Sequence, residues 1–360
     1  MAETTACDRW PADGWETVAP EEVGIKSDIL AELDAYARDS MPPIRGILIV
    51  RHGRVAFERY YIGCSAETYH SVNSITKSVL SALVGIAFRR GFLATVELPL
   101  VEVFPELANV DDDPRKQTLT LRHLLTMTGG FTTAGLNQPL QANMPLDVPN
   151  LIEWAFARPL DATPGERFQY DDLSCHLVSV LLSRLTGMSA AAFAEQELFA
   201  RLGIWTSEHV RFVWQSDRSK SDGYHIYGRW PEDGRPWKVD QHGNSIGSLG
   251  LHLTLREVAT FGGLYLNRGR WGGDEIVPAW FVRDSTRAQN PGAARVAPGD
   301  CSYGYLWWVH SPSFYFGLGY GGQYLHVDPP NELVVAVATT IPRNVPQAIF
   351  PRFIRPALLS

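Results

Sequence analysis

The spacing of apolar and polar residues divides the chain into strand-like ends and a helical middle. Residues 27–39 read as a helix, with Ser27 as cap and Ile29, Leu30, Leu33 and Tyr36 along one side. Alternating runs at 44–51 and 54–61 flank His52-Gly53 and predict a β-hairpin. From Ser74 to about Leu202 the period is helical, with loops. Short apolar helices are expected at 121–127, closed by Gly129-Gly130, and at 151–157. Pro164-Gly165 marks a turn, 166–170 a short extended piece, and 173–185 an amphipathic helix ended by Gly187.

An aromatic, irregular stretch follows at about 204–253, containing Trp205, Trp214, Tyr224, Tyr227, Trp230 and Trp237. Thr254-Leu255-Arg256-Glu257 has the form of a capping box and should open a helix reaching about Asn267. The tail returns to strands at 303–310, 314–316, 324–327 and 333–339, with a turn at Asp328-Pro329-Pro330-Asn331 and a final short helix from Gln347. Strands at both ends with helices between them predict an α+β fold. One antiparallel sheet, flanked by terminal helices, would be built from residues 1–72 and 255–360, with a mostly helical domain at 73–254 inserted. A pocket is then expected between the lobes.

The helix opening at Ser74 is unusual in its polarity. Winding it at about 100° per residue places Ser74, Lys77, Ser78, Ser81 and Gly85 on one narrow arc, while Ile75, Val79, Leu80, Leu83, Val84 and Ile86 cover most of the rest. Such a helix is buried nearly all round. Burial penalises an ammonium and lowers its pKa, so Lys77 is expected to be a base. Ser74 lies one turn earlier, after Asn73, which has the chemistry of an N-cap. Its hydroxyl would sit near backbone N–H groups that favour developing negative charge. Lys77 is the only lysine in the chain with a serine three residues before it. The alternative is a capped core helix whose lysine reaches the surface.

Composition narrows the partners. A chain of 360 residues buries a sizeable core, and its net charge of −7 argues against a nucleic-acid groove or an anionic membrane surface. Residues 1–11 carry acids and no apolar run, unlike a secretory signal, and the apolar run 79–88 is too short to span a bilayer. A cytoplasmic protein acting on small molecules is expected. Cys7, Cys64, Cys175 and Cys301 lack paired spacing, so neither a zinc site nor a disulfide framework is signalled. No histidine spacing suggests a metal, and no cofactor is expected.

Two further motifs compete. Gly243-Asn244-Ser245-Ile246-Gly247 matches the nucleophile elbow Gly-x-Ser-x-Gly, but that motif needs a strand before and a helix directly after, and here glycines follow until Thr254. A glycine-rich turn is the better reading of Ser245. Gly317-Leu318-Gly319-Tyr320-Gly321-Gly322 matches a dinucleotide fingerprint, which must open a helix, yet residues 323–327 continue as a strand. A glycine-rich strand edge, where backbone approaches closely, fits better. At Tyr170-Asp171-Asp172 the plain reading makes Asp172 an N-cap and Tyr170 an aromatic plug.

Taken together, Ser74-Ile75-Thr76-Lys77, the run Leu121 to Gly130, Pro164-Gly165 leading to Tyr170, and the late glycine-rich strand resemble the serine β-lactamase and penicillin-binding-protein superfamily. The likeness is to its class C-like branch, which includes DD-peptidases, family VIII carboxylesterases and 6-aminohexanoate-dimer hydrolases. The resemblance implies that Ser74 attacks a carbonyl while Lys77 and Tyr170 share the proton work, through an acyl-enzyme that water then hydrolyses. It also implies an oxyanion hole from the backbone N–H groups of Ser74 and Gln323, beside Gly321 and Gly322. Asp172 stands where the family often has Asn, and it cannot donate a hydrogen bond unless protonated. Tyr320 stands where β-lactamases and DD-peptidases carry Lys or His, so the cation that holds a substrate carboxylate is missing. Asp172, Tyr320, Gly321 and Gly322 are the expected substrate-binding positions, with Trp230, Trp237, Trp307 and Trp308 as candidates for an apolar wall. The expected activity is hydrolysis of small esters or amides; acyl transfer, or ligand binding without catalysis, is the alternative.

Overall fold

The runs around His52-Gly53 do form a hairpin, of β1 (Ile44–Arg51) and β2 (Arg54–Tyr60). Both turn residues have positive φ, 52° and 73°, as a tight two-residue turn requires. The computed structural model describes residues 14–39, 44–109, 113–132, 150–205, 230–296, 299–310, 314–340 and 349–359. Six later strands join the hairpin: β3 (Asn290–Val296), β4 (Gly299–Tyr303), β5 (Trp308–His310), β6 (Phe314–Gly319), β7 (Gln323–Asp328) and β8 (Leu333–Thr339). The eight form one antiparallel sheet in the order β2-β1-β8-β7-β6-β5-β4-β3. β1 therefore pairs with β8, and the two ends of the chain meet in one sheet, with mixed helix and antiparallel strand as expected.

The labelled helices are α1 (Ser27–Asp39), α2 (Ile75–Arg89), α3 (Leu121–Leu125), α4 (Leu151–Ala157), α5 (Asp172–Thr186), α6 (Leu255–Leu266) and α7 (Ala279–Ser285). Side chains alternate between the faces of a sheet, which assigns the layers. A Cβ at Gly317 would lie 3.3 Å from Ile75 of α2, and one at Gly262 of α6 would lie 2.7 Å from Leu325. Gly317 and Leu325 are register partners, so α2 and α6 cover the same face. Phe314 and His326 point the other way and meet the ring of Phe350. Phe353 reaches Tyr36 of α1 at 5.2 Å, so the terminal helices cover the second face.

Every residue of α2 from Ile75 to Ala87 is buried. Its leucines, valines and isoleucines each contribute about 1.5–3 kcal/mol by leaving water, which holds the polar seam in place. Gly85 lets α2 approach α7: a Cβ there would meet Phe281 at 2.7 Å.

The strand expectations need correction in three places. Residues 166–170 form no strand; Gln169 instead donates its N–H to the Met127 carbonyl at 2.8 Å. The run 303–310 breaks between β4 and β5, because Gly304 lies so close to the chain at Ser285 that a Cβ would sit 2.0 Å from its carbonyl oxygen. Strand β3 carries no alternating signal. Trp214, Tyr224, Tyr227, Gln347 and Cys7 lie outside the described residues. Among the described residues no single helix is long and apolar enough to cross a membrane. No cluster of three or more metal-ligating side chains occurs among them either.

Candidate active site

Ser74 begins the turn that leads into α2, and Asn73 before it adopts a left-handed conformation with φ 47°, which asparagine tolerates better than most residues. The cap position falls on Ser74 rather than on Asn73, and the Ser74 side chain makes no capping bond. Asn73 has a different task. Its Oδ1 accepts from the Ser71 hydroxyl (3.0 Å), and its Nδ2 donates to the Tyr320 carbonyl (2.7 Å). One side chain thus ties the serine turn to the β6–β7 hairpin. Among the described residues the Ser74 N–H has no acceptor.

Lys77 is 1% exposed. Its Nζ donates to Ser74 Oγ at 2.8 Å and to the Ser248 carbonyl at 2.9 Å, and it lies 2.8 Å from Asp172 Oδ1. The Tyr170 ring lies 4.9 Å from the same nitrogen. Burial by itself pushes the pKa of Lys77 down, but Asp172, with Tyr170 and Cys175 behind it, outweighs burial and holds the ammonium above the ordinary lysine value. Burial alone would favour the neutral amine expected of Lys77; the neighbouring Asp172 acts in the opposite direction.

The adjacent acids divide two roles. Asp171, not Asp172, caps α5: its Oδ1 accepts from the Ser174 N–H (2.6 Å) and its Oδ2 from the Ser174 hydroxyl (2.8 Å). Burial pushes the Asp171 carboxyl up to about 6 despite those bonds. Asp172, expected among the substrate-binding residues, meets Lys77. Tyr170 stacks on Trp308, with centroids 5.5 Å apart and planes at 16°, and meets Tyr303 edge-on. Burial raises the Tyr170 phenol pKa, while the Lys77 charge and the Ser74 hydroxyl act in the opposite sense.

The glycine-rich strand serves close approach. A Cβ on Gly319 would lie 2.4 Å from the Val72 carbonyl, so this strand abuts the residues just before Ser74. Gly321 and Gly322 have φ near 82° and 83°, the left-handed region where glycine carries no steric penalty. The Gly322 N–H closes the turn on the Gly319 carbonyl at 3.1 Å. Gln323 follows, nearly buried, with its side-chain amide donating to the Thr339 carbonyl of β8. The hairpin is thus anchored at one end to the sheet and at the other, through Tyr320, to Asn73.

The tryptophans separate. Trp237 is fully buried and donates to the Ile246 carbonyl (2.9 Å), so it has no surface to offer a substrate. Trp307 packs in the core against Phe261 and Tyr265. Trp308 backs Tyr170, and half-buried Trp230 lies edge-on to His252, whose register partner is Ser71. Ser245 is fully buried, and its hydroxyl accepts from the Ala191 N–H at 2.9 Å. The turn around it packs so tightly that a Cβ on Gly247 would lie 2.1 Å from the Cys175 carbonyl. A cavity of about 300 Å³ lined by Ser189, Ala191, Pro231, Asp233 and Arg235 includes none of the residues around Ser74.

Three contributors escaped sequence reasoning: the Asn73 bridge, the Ser248 carbonyl and Tyr303. A backbone acceptor such as Ser248 leaves no side-chain signature to read. Asn73 could have been found from its place beside Ser74, since asparagine is the residue most at ease at positive φ after glycine.

Comparisons with known proteins bear on the family and the fold. The Beta-lactamase family model matches residues 34–357. The chain is 23% identical over 345 residues to a 6-aminohexanoate-dimer hydrolase from Paenarthrobacter ureafaciens, covering 91% of this chain and 81% of that protein. Among solved structures it is similar to EstCE1, a hydrolase with promiscuous acyltransferase activity. There the TM-score is 0.70 at 15% identity, covering 95% of this chain and 99% of that one. It is also similar to a family VIII carboxylesterase, with TM-score 0.66 at 14% identity over 96% and 98% of the two chains.

Proposed function

The chain belongs to the beta-lactamase family, and we propose that it is a serine hydrolase cleaving small esters or amides through an acyl-enzyme on Ser74. The observation that carries this reading is the 2.8 Å contact between Ser74 Oγ and the buried Lys77 Nζ at a helix start whose leading N–H has no acceptor among the described residues. A hydroxyl held by a proton-handling partner, with its own backbone N–H available to a developing oxyanion, is the arrangement that nucleophilic acyl transfer needs. In this reading the Ser74 N–H and the Gln323 N–H receive the carbonyl oxygen, each contributing about 3–4 kcal/mol to the transition state. Tyr170 works beside Lys77 in moving protons. Tyr320 supplies no cation for a substrate carboxylate, which disfavours penicillins and D-Ala-D-Ala peptides.

Pre-steady-state turnover of p-nitrophenyl butyrate tests the proposal. A burst of nitrophenol equal to the enzyme concentration, absent from Ser74→Ala, supports an acyl-enzyme on that residue. Absence of both burst and turnover in the wild type favours a non-catalytic ligand-binding relative. The likeness to a hydrolase with acyltransferase activity supports acyl transfer as a second reading. Added alcohols or amines that divert the acyl group from water would establish it.

A further inference from the structure

The surroundings of Lys77 specify more than a nucleophile. Its Nζ has three neighbours at hydrogen-bonding distance, Ser74 Oγ, the Ser248 carbonyl and Asp172 Oδ1, at 2.8, 2.9 and 2.8 Å. An ammonium has three hydrogens and no lone pair, so three acceptors leave it nothing with which to receive the Ser74 proton. One hydrogen must leave before another arrives. The Ser248 carbonyl is no base, and Ser74 is the donor. Asp172 is the one partner of the three able to keep a proton.

We propose that Asp172 is the terminal proton acceptor of a Ser74–Lys77–Asp172 relay, and that Lys77 is an ammonium both before and after the transfer. The inference rests on Ser74 being the nucleophile. As Ser74 Oγ bonds to the substrate carbonyl carbon, its O–H bond breaks and a new N–H bond forms at Nζ. The N–H bond directed at Oδ1 breaks first, so that Asp172 becomes a carboxylic acid, and rotation about the Cε–Nζ bond turns the freed lone pair of the amine towards the Ser74 proton. The carbonyl π pair moves onto its oxygen. The pair Lys77⁺/Asp172⁻ is replaced by Lys77⁺ and an oxyanion, so the net charge of the buried site does not change. When the adduct collapses, the proton returns through Lys77, with Tyr170 beside it, to the departing alcohol or amine, and water repeats the cycle in deacylation.

The other titratable groups facing this pair are poor acceptors. Tyr170 precedes α5, Cys175 lies on α5 and Tyr303 on β4; burial raises the pKa of all three. Asp171 is occupied by the Ser174 N–H and hydroxyl. Asp172 thus acts on Ser74 through Lys77.

The direction of a pH shift tests this. kcat/KM for p-nitrophenyl butyrate is measured against pH for wild type, Asp172→Asn and Asp172→Glu, with thermal unfolding as the check on folding. The relay predicts a loss of about a hundredfold at neutral pH in Asp172→Asn, within the range for general acid–base groups. It also predicts that the acid limb moves to higher pH, because Lys77 must then shed its proton to solvent. Asp172→Glu keeps the wild-type limb. If Lys77 were itself the free base, removing the carboxylate would lower its pKa and move the limb to lower pH with activity retained, which overturns the relay. Should Asp172→Asn not fold, the wild type decides: an acid limb below neutral pH agrees with the relay, and one near the lysine range of about 10 contradicts it. Failure of the underlying assignment looks different, since the wild type would then show no acyl-enzyme at any pH.

Discussion

Two serines in this chain sit in sequence patterns associated with nucleophiles, and their surroundings differ in kind. Ser245 carries the better-known motif, yet its hydroxyl accepts from the Ala191 N–H, its carbonyl accepts from Ser179 (2.6 Å), and no part of it reaches the surface. These bonds tie the turn to α5 at Ser179 and to the chain at Ala191. Ser74 is partly exposed; its hydroxyl is held by a charged lysine, and the N–H beside it has no acceptor among the described residues. A satisfied hydroxyl braces a fold, whereas one beside an unoccupied N–H and a proton carrier can react. The contrast lies in the neighbours and not in the motif letters.

That contrast can be broken by substitution. The largest effect beyond Ser74 itself is expected from Lys77→Met, which keeps the volume in the seam but removes the proton carrier. kcat/KM should fall by about 10²–10⁴, measured on p-nitrophenyl butyrate. Asn73→Ala comes next. It removes the Asn73 bond to the Tyr320 carbonyl and loosens the tie between the serine turn and the hairpin, so kcat should drop by roughly tenfold to a hundredfold with little change in KM. Asn73→Gly, which keeps the left-handed backbone, should share that loss if the side-chain bond matters more than the strain. Ser245→Ala is the smallest on activity. It leaves the buried Ala191 N–H unsatisfied and should lower stability by about 1–3 kcal/mol in denaturant unfolding, while kcat/KM of the folded protein stays within about twofold.

Much of this arrangement was legible in the chain, and what was not has identifiable causes. The first hairpin was visible because His52-Gly53 can take two positive φ angles between alternating runs. The α6 start was visible because Thr254 and Glu257 cap each other, with Glu257 N–H to Thr254 Oγ1 at 3.2 Å and Thr254 N–H to Glu257 Oε2 at 2.8 Å. Strand β3 was not, since Asn290-Pro291-Gly292-Ala293-Ala294 has neither alternation nor β-branched residues, and its pairing with β4 shifts register between Asn290 and Ala294. It is an edge strand, where proline and glycine are tolerated.

Within the site, the serine, lysine and tyrosine could be named from spacing and resemblance. The charge on Lys77 could not. Asp171 and Asp172 are chemically identical neighbours, and which one caps the helix and which one meets the lysine is fixed only by the direction in which the chain enters α5. The polar seam of α2 told where a lysine would be buried; the sign of its pKa shift depended on a carboxylate almost a hundred residues away in the chain.

Intact-protein mass spectrometry after reaction with a fluorophosphonate probe, on wild type, Ser74→Ala and Ser245→Ala, identifies which serine is the nucleophile. The account predicts one phosphonate adduct on wild type and on Ser245→Ala, with peptide mapping to Ser74, and none on Ser74→Ala. An adduct that survives Ser74→Ala, or one that is lost only in Ser245→Ala, would contradict it.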